Sequence, residues 1–264
     1  AGRTWAVDTG FIVFNDWTYP NFIAMLEELR VAWQPSNMSF SLSCERTGLE
    51  YNGTSVNSLF AQRRNLLRPS FLRMIADILR FNARAKAWLA NPAAPDVALG
   101  AFLREGGYSR QFVEHYILPM GRAIWSAEAS AMIDFPARFF VEFFDRHGFL
   151  SVGDRPVWQT VRGGSREYVR RLLAASKAKL LLSAPVESIR RQPDRVLVRT
   201  ARGAVDTFDH VFLACHSDQA LRLLESPTPA ELAVLQALPY ASNEAILHTD
   251  ESLLPKRSLA RAAW

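Results

Sequence analysis

Apolar positions along the chain switch between helical and strand spacing several times. Val7 and then Phe11 to Phe14 form an extended apolar stretch interrupted at Asp8-Thr9-Gly10. After the loop Asn15 to Tyr19, Pro20 suits a first helical turn, and Phe22, Ile23, Met25, Leu26 and Leu29 follow as one stripe. The order predicted here is strand, loop, helix. Phe40 to Ser43 and Leu49 to Tyr51 alternate around Glu45 to Gly48, which predicts a hairpin with Asn52-Gly53 as the turn after it. Helical spacing of Phe71, Leu72, Ile75, Ile78, Leu79 and Trp88 predicts a helix over 69–90, stopped by Asn91-Pro92-Ala93-Ala94-Pro95. Asp96 is read as the cap of a short helix ending near Gly106-Gly107, and Ser109 as the cap of another that carries Phe112, Val113, Tyr116 and Ile117 towards Pro119. Residues 129–144 are rich in phenylalanine and helical in pattern.

From Val161 to Cys215 the periods change most often. Gly163-Gly164 predicts a turn, Ser165 a cap, and Tyr168, Val169, Leu172 and Leu173 a helix from about Arg166 to Lys177. Leu180 to Leu182 is an apolar run suited to a strand buried on both faces. Beyond Pro185, the stretches Val186 to Arg190, Val196 to Arg199 and Ala204 to Phe208 are separated by Gln192-Pro193-Asp194 and by Gly203, which predicts a three-stranded meander. His210 to Ala214 is again apolar, as a central parallel strand would be, and Cys215 closes it as a buried thiol.

Composition narrows the class of protein. A chain of 264 residues that is 49% hydrophobic can build a substantial core. No apolar run is long enough to cross a bilayer and the first residues lack a signal-peptide core, so a cytoplasmic protein is the expectation. The net charge of +5 is concentrated between Arg63 and Trp88, where seven basic residues face Asp77 alone. Two cysteines, Cys44 and Cys215, are too few for a disulfide framework, and the five histidines show no metal-binding spacing, so no metal is expected. The chain contains no G-x-S-x-G elbow, no G-x-G-x-x-G and no phosphate loop of the G-x-x-x-x-G-K type.

The succession of Gly163-Gly164 before a helix, Val186 with Ile189 after a short apolar run, and Asp209, Val211 and Ala214 at re-entry into a sheet resembles the flavin domain of the amine oxidase and phytoene desaturase superfamily. The stretch V-D-T-G-F-I-V-F-N-D-W-T-Y-P-N-F resembles, more narrowly, the bacterial amine-oxidase-like group described as NAD/FAD-binding. The resemblance implies a mixed α/β (α+β) fold, part of an FAD-binding Rossmann-like domain carrying a β-meander, joined to a mostly helical substrate domain. It implies flavin-domain segments at 1–51 and 151–216, a helical substrate-side region at 52–150, and the start of a substrate-domain sheet at 217–264. FAD is the implied cofactor, with Thr9, Gly10, Phe11, Gly163, Gly164, Val186 and Ala214 as contacts: the main chain of Val186 against the adenine and Gly10 beside the ring. Because the glycine-rich dinucleotide turn is missing, the chain is expected to be the central portion of a longer flavoenzyme, inactive alone.

The implied reaction is hydride transfer to flavin from an amine or an apolar, lipid-like substrate. Many amine oxidases of the superfamily carry a lysine near the flavin N5 in the strand matching Ser242 to His248. Asn243 or Glu244 stands there in this chain, which favours a desaturase or isomerase acting on lipid-like material. Phe139 and Phe140, within the cluster of Phe135, Phe143 and Phe144, are further substrate candidates, with a plain helical core as the other reading. A membrane-peripheral location through contact of residues 63–88 with anionic lipid is also expected, and nucleic acid is not expected as a partner of the enzyme. The rival from another class is a non-enzymatic basic module for a membrane surface or nucleic acid, centred on that same segment.

Overall fold

The computed structural model describes residues 7–240, 242 and 244–264. The chain divides into two compact units, one formed by residues up to Ser176 together with His248–Trp264, the other by Lys177–Leu247.

In the first unit, β1 (Phe14–Asn15), α1 (Pro20–Glu28) and β2 (Trp33–Pro35) realise the expected strand, loop and helix, but the strand is only two residues long. The hairpin forms as β3 (Ser41–Cys44) and β4 (Leu49–Asn52), with Ser41 opposite Asn52 and Cys44 opposite Leu49. A short α2 (Val56–Leu59) follows, capped reciprocally by Ser55 and Ser58. The long helix α3 (Pro69–Leu89) buries Phe71, Met74, Phe81 and Ala85, and with them Asp77. The Asp77 carboxylate accepts from the Ser109 N–H at 2.8 Å and pairs with Arg80 at 2.9 Å and Arg73 at 3.3 Å, so a buried charge is fully engaged and fixes the next helical segment against α3.

Asp96 does not cap α4 (Leu99–Glu105). The first turn is held instead by strand-like bonding to the loop before α8, through Leu99 N–H to Phe135 O at 2.7 Å and Ala137 N–H to Val97 O at 2.9 Å. Ser109 does cap α5 (Arg110–Phe112), accepting from the Phe112 N–H. That helix passes through Pro119 by way of a π-turn, Val113–Ile117, into α6 (Leu118–Trp125). Pro119 has no N–H for the carbonyl of His115 four residues back, and the buried Tyr51 hydroxyl donates to that carbonyl at 2.6 Å. α7 (Ala129–Asp134) and α8 (Ala137–Arg146) complete the helical core, where Phe140 and Phe144 stack at 4.2 Å. β5 (Trp158–Val161) then runs between β1 and β2, antiparallel to both, and α9 (Arg166–Ala175) packs Tyr168 edge-on against Phe22 of α1.

The second unit holds the expected meander: β6 (Val186–Arg191), β7 (Val196–Thr200) and β8 (Val205–Phe208), antiparallel in that order, with Ile189 opposite Val198 and Val198 opposite Asp206. α10 (Ser217–Leu223) and α11 (Pro229–Gln236) are joined by Ser217, whose hydroxyl donates to Leu235 O at 3.0 Å. Two strand expectations fail. Leu180–Leu182 and His210–Ala214 are not strands, and Leu182 and Phe212 are 74% and 95% exposed. A strand buried on both faces requires bonded neighbours, and among the described residues neither run is in a ladder. Cys215 is exposed for the same reason, contrary to the buried thiol expected.

Candidate functional site

The described part of the extended stretch from Val7 to Phe14 lies beside β5 and the start of α9, outside the ladder until Phe14, and is tethered by side chains. Thr160 Oγ1 donates to Ile12 O and Ser165 Oγ to Phe11 O, each at 2.9 Å. The Asp8 carboxylate accepts the Ser165 N–H at 2.9 and 3.1 Å, placing a negative charge at the N-terminus of α9. Ser165 therefore does not cap its helix with its own hydroxyl, which is spent on Phe11. Gly163 and Gly164 turn the chain at φ of +84° and +90°, and a Cβ at Gly164 would lie 3.3 Å from Asp8 Oδ2. Two stretches 150 residues apart in sequence, Thr9–Phe11 and Gly163–Gly164, are thus brought together by Asp8 and Ser165, neither of which sequence reasoning assigned to the site.

Alongside this tether lies a cavity of about 320 Å³. Gly10, Phe11, Ile12 and Val13 line one side, and Tyr19, Phe40, Phe143, His147, Trp158 and Trp264 line it from other elements. No Asp, Glu, Lys or Arg lines it among the described residues. Trp264 is fixed there because the chain end adds to the edge of β3, with Ser41 N–H to Trp264 O at 2.9 Å and Trp264 N–H to Ser39 O at 3.0 Å. His147 stacks on Phe143 at 3.9 Å and lies nearly parallel to Trp158 at 6.0 Å, while its Nδ1 bonds Phe143 O at 2.8 Å. Burial holds the His147 pKa below the usual imidazole value and raises that of the Tyr19 phenol, so both are neutral at pH 7.

The other expected residues are distributed as follows. Phe140 is fully buried in the helical core and Phe139 is 55% exposed; neither lines the cavity, whereas Phe143, on the same helix, does. Val186 opens β6 and pairs with Thr200, and Ala214 lies in irregular chain; both belong to the second unit. Glu244 is exposed in irregular chain, and Asn243 lies outside the described residues. Within the basic segment, Arg73 and Arg80 pair with Asp77, Arg84 with Glu105, and Arg64 donates to Gly48 O, while Leu72 and Leu79 are exposed. No helix among the described residues is long and apolar enough to cross a membrane, and no group of three metal-ligating side chains occurs among them. Asp8 stood inside the quoted motif and His147 follows the phenylalanine run, yet neither had a spacing signal of its own.

A flavin can be tested against this geometry. Gly10 carries no side chain, a Cβ there would meet nothing within 4 Å, and the N–H groups of Gly10, Phe11 and Ile12 have no partner among the described residues. Such an open strip of main chain, held from behind by its carbonyls, fits the polar edge of a flat ring whose face needs apolar surroundings.

The fold is similar to that of cyclohexylamine oxidase from Brevibacterium oxydans IH-35A, with TM-score 0.63 at 16% identity over 88% of this chain and 52% of that one. It is also similar to a triple mutant of putrescine oxidase redesigned in its cofactor binding, with TM-score 0.57 at 16% identity over 84% of this chain and 51% of that one. The chain spans about half the length of these solved structures. No curated protein sequence matches it. The family model for flavin containing amine oxidoreductase matches residues 2–261, and the chain belongs to that family, whose cofactor is the flavin expected from the sequence.

Proposed function

We propose that the chain forms the substrate-side wall of an FAD-dependent oxidoreductase that takes hydride from a small apolar amine. The observation that carries the reading is the aromatic cavity, free of Asp, Glu, Lys and Arg among the described residues, with Gly10–Val13 on one side. Flavin, when bound, supplies the hydride acceptor, and the protein's share of the work is to orient the substrate and exclude water. Thr9, Gly10 and Phe11 would hold the ring edge, and Gly163 and Gly164 would keep that strip in place through Ser165 and Asp8. Val186 and Ala214 remain proposed adenine-side contacts.

The cavity argues for one amino group on an apolar body. A diamine would bring a second cation, and no Asp or Glu side chain lines the walls among the described residues. Of the two similar solved structures, the one named for cyclohexylamine has that chemistry. The absence of lysine from Ser242 to His248 speaks for the lipid-like alternative, which the same experiment addresses.

Titrating the chain with lumiflavin, which is the ring without phosphates, and with FAD tests the reading through the fluorescence of Trp158 and Trp264. The expected result is saturable quenching by both with similar weak affinity, because the chain has no glycine-rich turn for the pyrophosphate. Benzylamine, and not a medium-chain fatty acid, should bind the cavity in the presence of lumiflavin, read as a further saturable change in fluorescence. No saturable quenching by either flavin would refute the ring site, and binding of the fatty acid alone would refute the amine reading.

A further inference from the structure

His147 has one ring nitrogen spent and one free. Phe143 O can only accept, so Nδ1 carries the proton in the 2.8 Å bond between them. In a neutral ring the lone pair is then on Nε2, which makes no hydrogen bond among the described residues. His147 lines the cavity and also a second, open pocket shared with Trp17, Pro20 and Arg146, and its ring is clamped between aromatic neighbours: Phe143 at 3.9 Å, Trp158 at 6.0 Å and, edge-on, Tyr19 at 6.4 Å. The charged and titratable groups near it are Tyr19, kept neutral by burial, and Arg146, whose charge opposes protonation of the imidazole. Arg146 acts in the same direction as the burial of the ring, and the bond to Phe143 O opposes both.

The consequence is chemical. The cavity is also lined by the hydroxyl residues Tyr19, Ser39 and Ser126, whose O–H groups donate as well as accept, whereas the His147 Nε2 lone pair can only accept; such a directional acceptor among apolar walls fixes the rotation of a bound body. An amine, protonated or free, always presents an N–H to such an acceptor. We infer that His147 is the substrate-orienting residue of this cavity, its Nε2 accepting a hydrogen bond from the N–H of the bound amine. The inference rests on the amine reading above and adds to it the residue that selects an N–H donor over a hydrocarbon of the same shape.

The test pairs benzylamine with toluene, which keeps the ring and lacks the donor. Affinities come from tryptophan fluorescence of the full chain, and the protonation of His147 from its ring ¹⁵N resonances at fixed pH. In the wild-type chain benzylamine should bind more tightly than toluene, and the Nε2 resonance should move upfield with benzylamine only. His147→Phe keeps the stack and removes the acceptor, and should weaken benzylamine about tenfold while leaving toluene unchanged. His147→Gln places an amide oxygen near the position of Nε2 and should recover most of the preference.

Benzylamine binding with an unmoved Nε2 resonance and an undiminished preference in His147→Phe would overturn the role of His147 while the amine reading stood. If neither probe perturbs the wild-type chain, the cavity reading fails and the inference fails with it. Should His147→Phe not fold, the wild-type resonances and His147→Gln decide the matter.

Discussion

The first unit and the second are made from similar proportions of apolar sequence, yet they bury it very differently. In the first, Phe71, Phe81, Phe102, Phe112 and Phe140 are completely buried, and Phe81 meets Phe102 edge-on at 6.0 Å and Phe112 at 5.5 Å. In the second, burial reaches Ile189, Thr200, Ser217 and Ala220, while Val205, Phe208, Phe212 and Leu238 are exposed. Helices close their own backbone hydrogen bonds and need only one apolar stripe covered. Apolar strand-like runs need neighbours on both edges and both faces. Stability should therefore be concentrated in the first unit.

The largest expected effect tests that concentration. Phe81→Ala removes a ring packed against Phe102, Tyr108 and Phe112 and should cost about 3–5 kcal/mol in denaturant unfolding. Ile189→Ala should cost about 2 kcal/mol, at the low end for a buried aliphatic. Amide exchange should show α3 protected far longer than β6 and β7. Equal losses and equal protection in the two units would break the comparison.

Next in size is the tether beside the cavity. Gly164→Val places a β-branched residue at φ +90° with Asp8 Oδ2 3.3 Å from its Cβ, and should cost up to about 3 kcal/mol. The Asp8 to Ser165 bonds and the flavin-ring affinity should weaken together. An unchanged melting curve with unchanged lumiflavin quenching would reduce the glycine pair to a connector.

Asp77 gives the third prediction. Its burial pushes the carboxyl pKa up, but the Ser109 hydrogen bonds and the Arg80 and Arg73 charges outweigh that and leave it below the usual value. A folded-state pKa lower than the unfolded one gives stability that is complete above roughly pH 4 and is lost as pH falls through the folded value. Asp77→Asn keeps an acceptor for Ser109 and removes the charge, so it should cost about 1 kcal/mol at neutral pH and flatten the acid side of the stability profile. An acid limb unchanged by the substitution would remove Asp77 from that account.

Local chemistry explains what could be read in advance. The hairpin at β3 and β4, the meander, α1 and α3 follow from turn residues and apolar periods confined to a few neighbours in sequence. β5 did not, because Trp158–Val161 is short and gains its meaning only by lying between β1 and β2, from more than a hundred residues away. Pro119 reads as a stop unless Tyr51 is known to satisfy the carbonyl of His115. In the site, the glycine pair and Gly10 were visible as backbone requirements. Asp8 and His147 were not, since an acid at a helix start and a histidine within an aromatic stack are defined by partners far along the chain.

The smallest effect concerns a tight ion pair that joins β6 to α11. Arg191 meets Glu231 with Nη1 to Oε1 at 2.6 Å and Nη2 to Oε2 at 2.9 Å, while Glu231 also accepts the Thr228 N–H at 2.7 Å as the third residue of its helix. These bonds, the arginine first, push the Glu231 pKa down to about 2. The sign is that of Asp77: the contribution is present above the unfolded-state value of roughly 4.3 and disappears as pH falls towards the folded one. The pair is exposed, however, and an exposed pair is screened by salt and opposed by side-chain entropy. Glu231→Gln retains an oxygen for the Thr228 N–H and removes only the charge. It should lower the melting temperature slightly at low ionic strength and not at all in 1 M salt, with the Glu231 carboxyl titrating near 2 in dilute buffer and higher in salt. An equal loss at both ionic strengths would show that the bidentate contact holds the second unit together by geometry rather than by charge, and that its marginal core is braced from the surface.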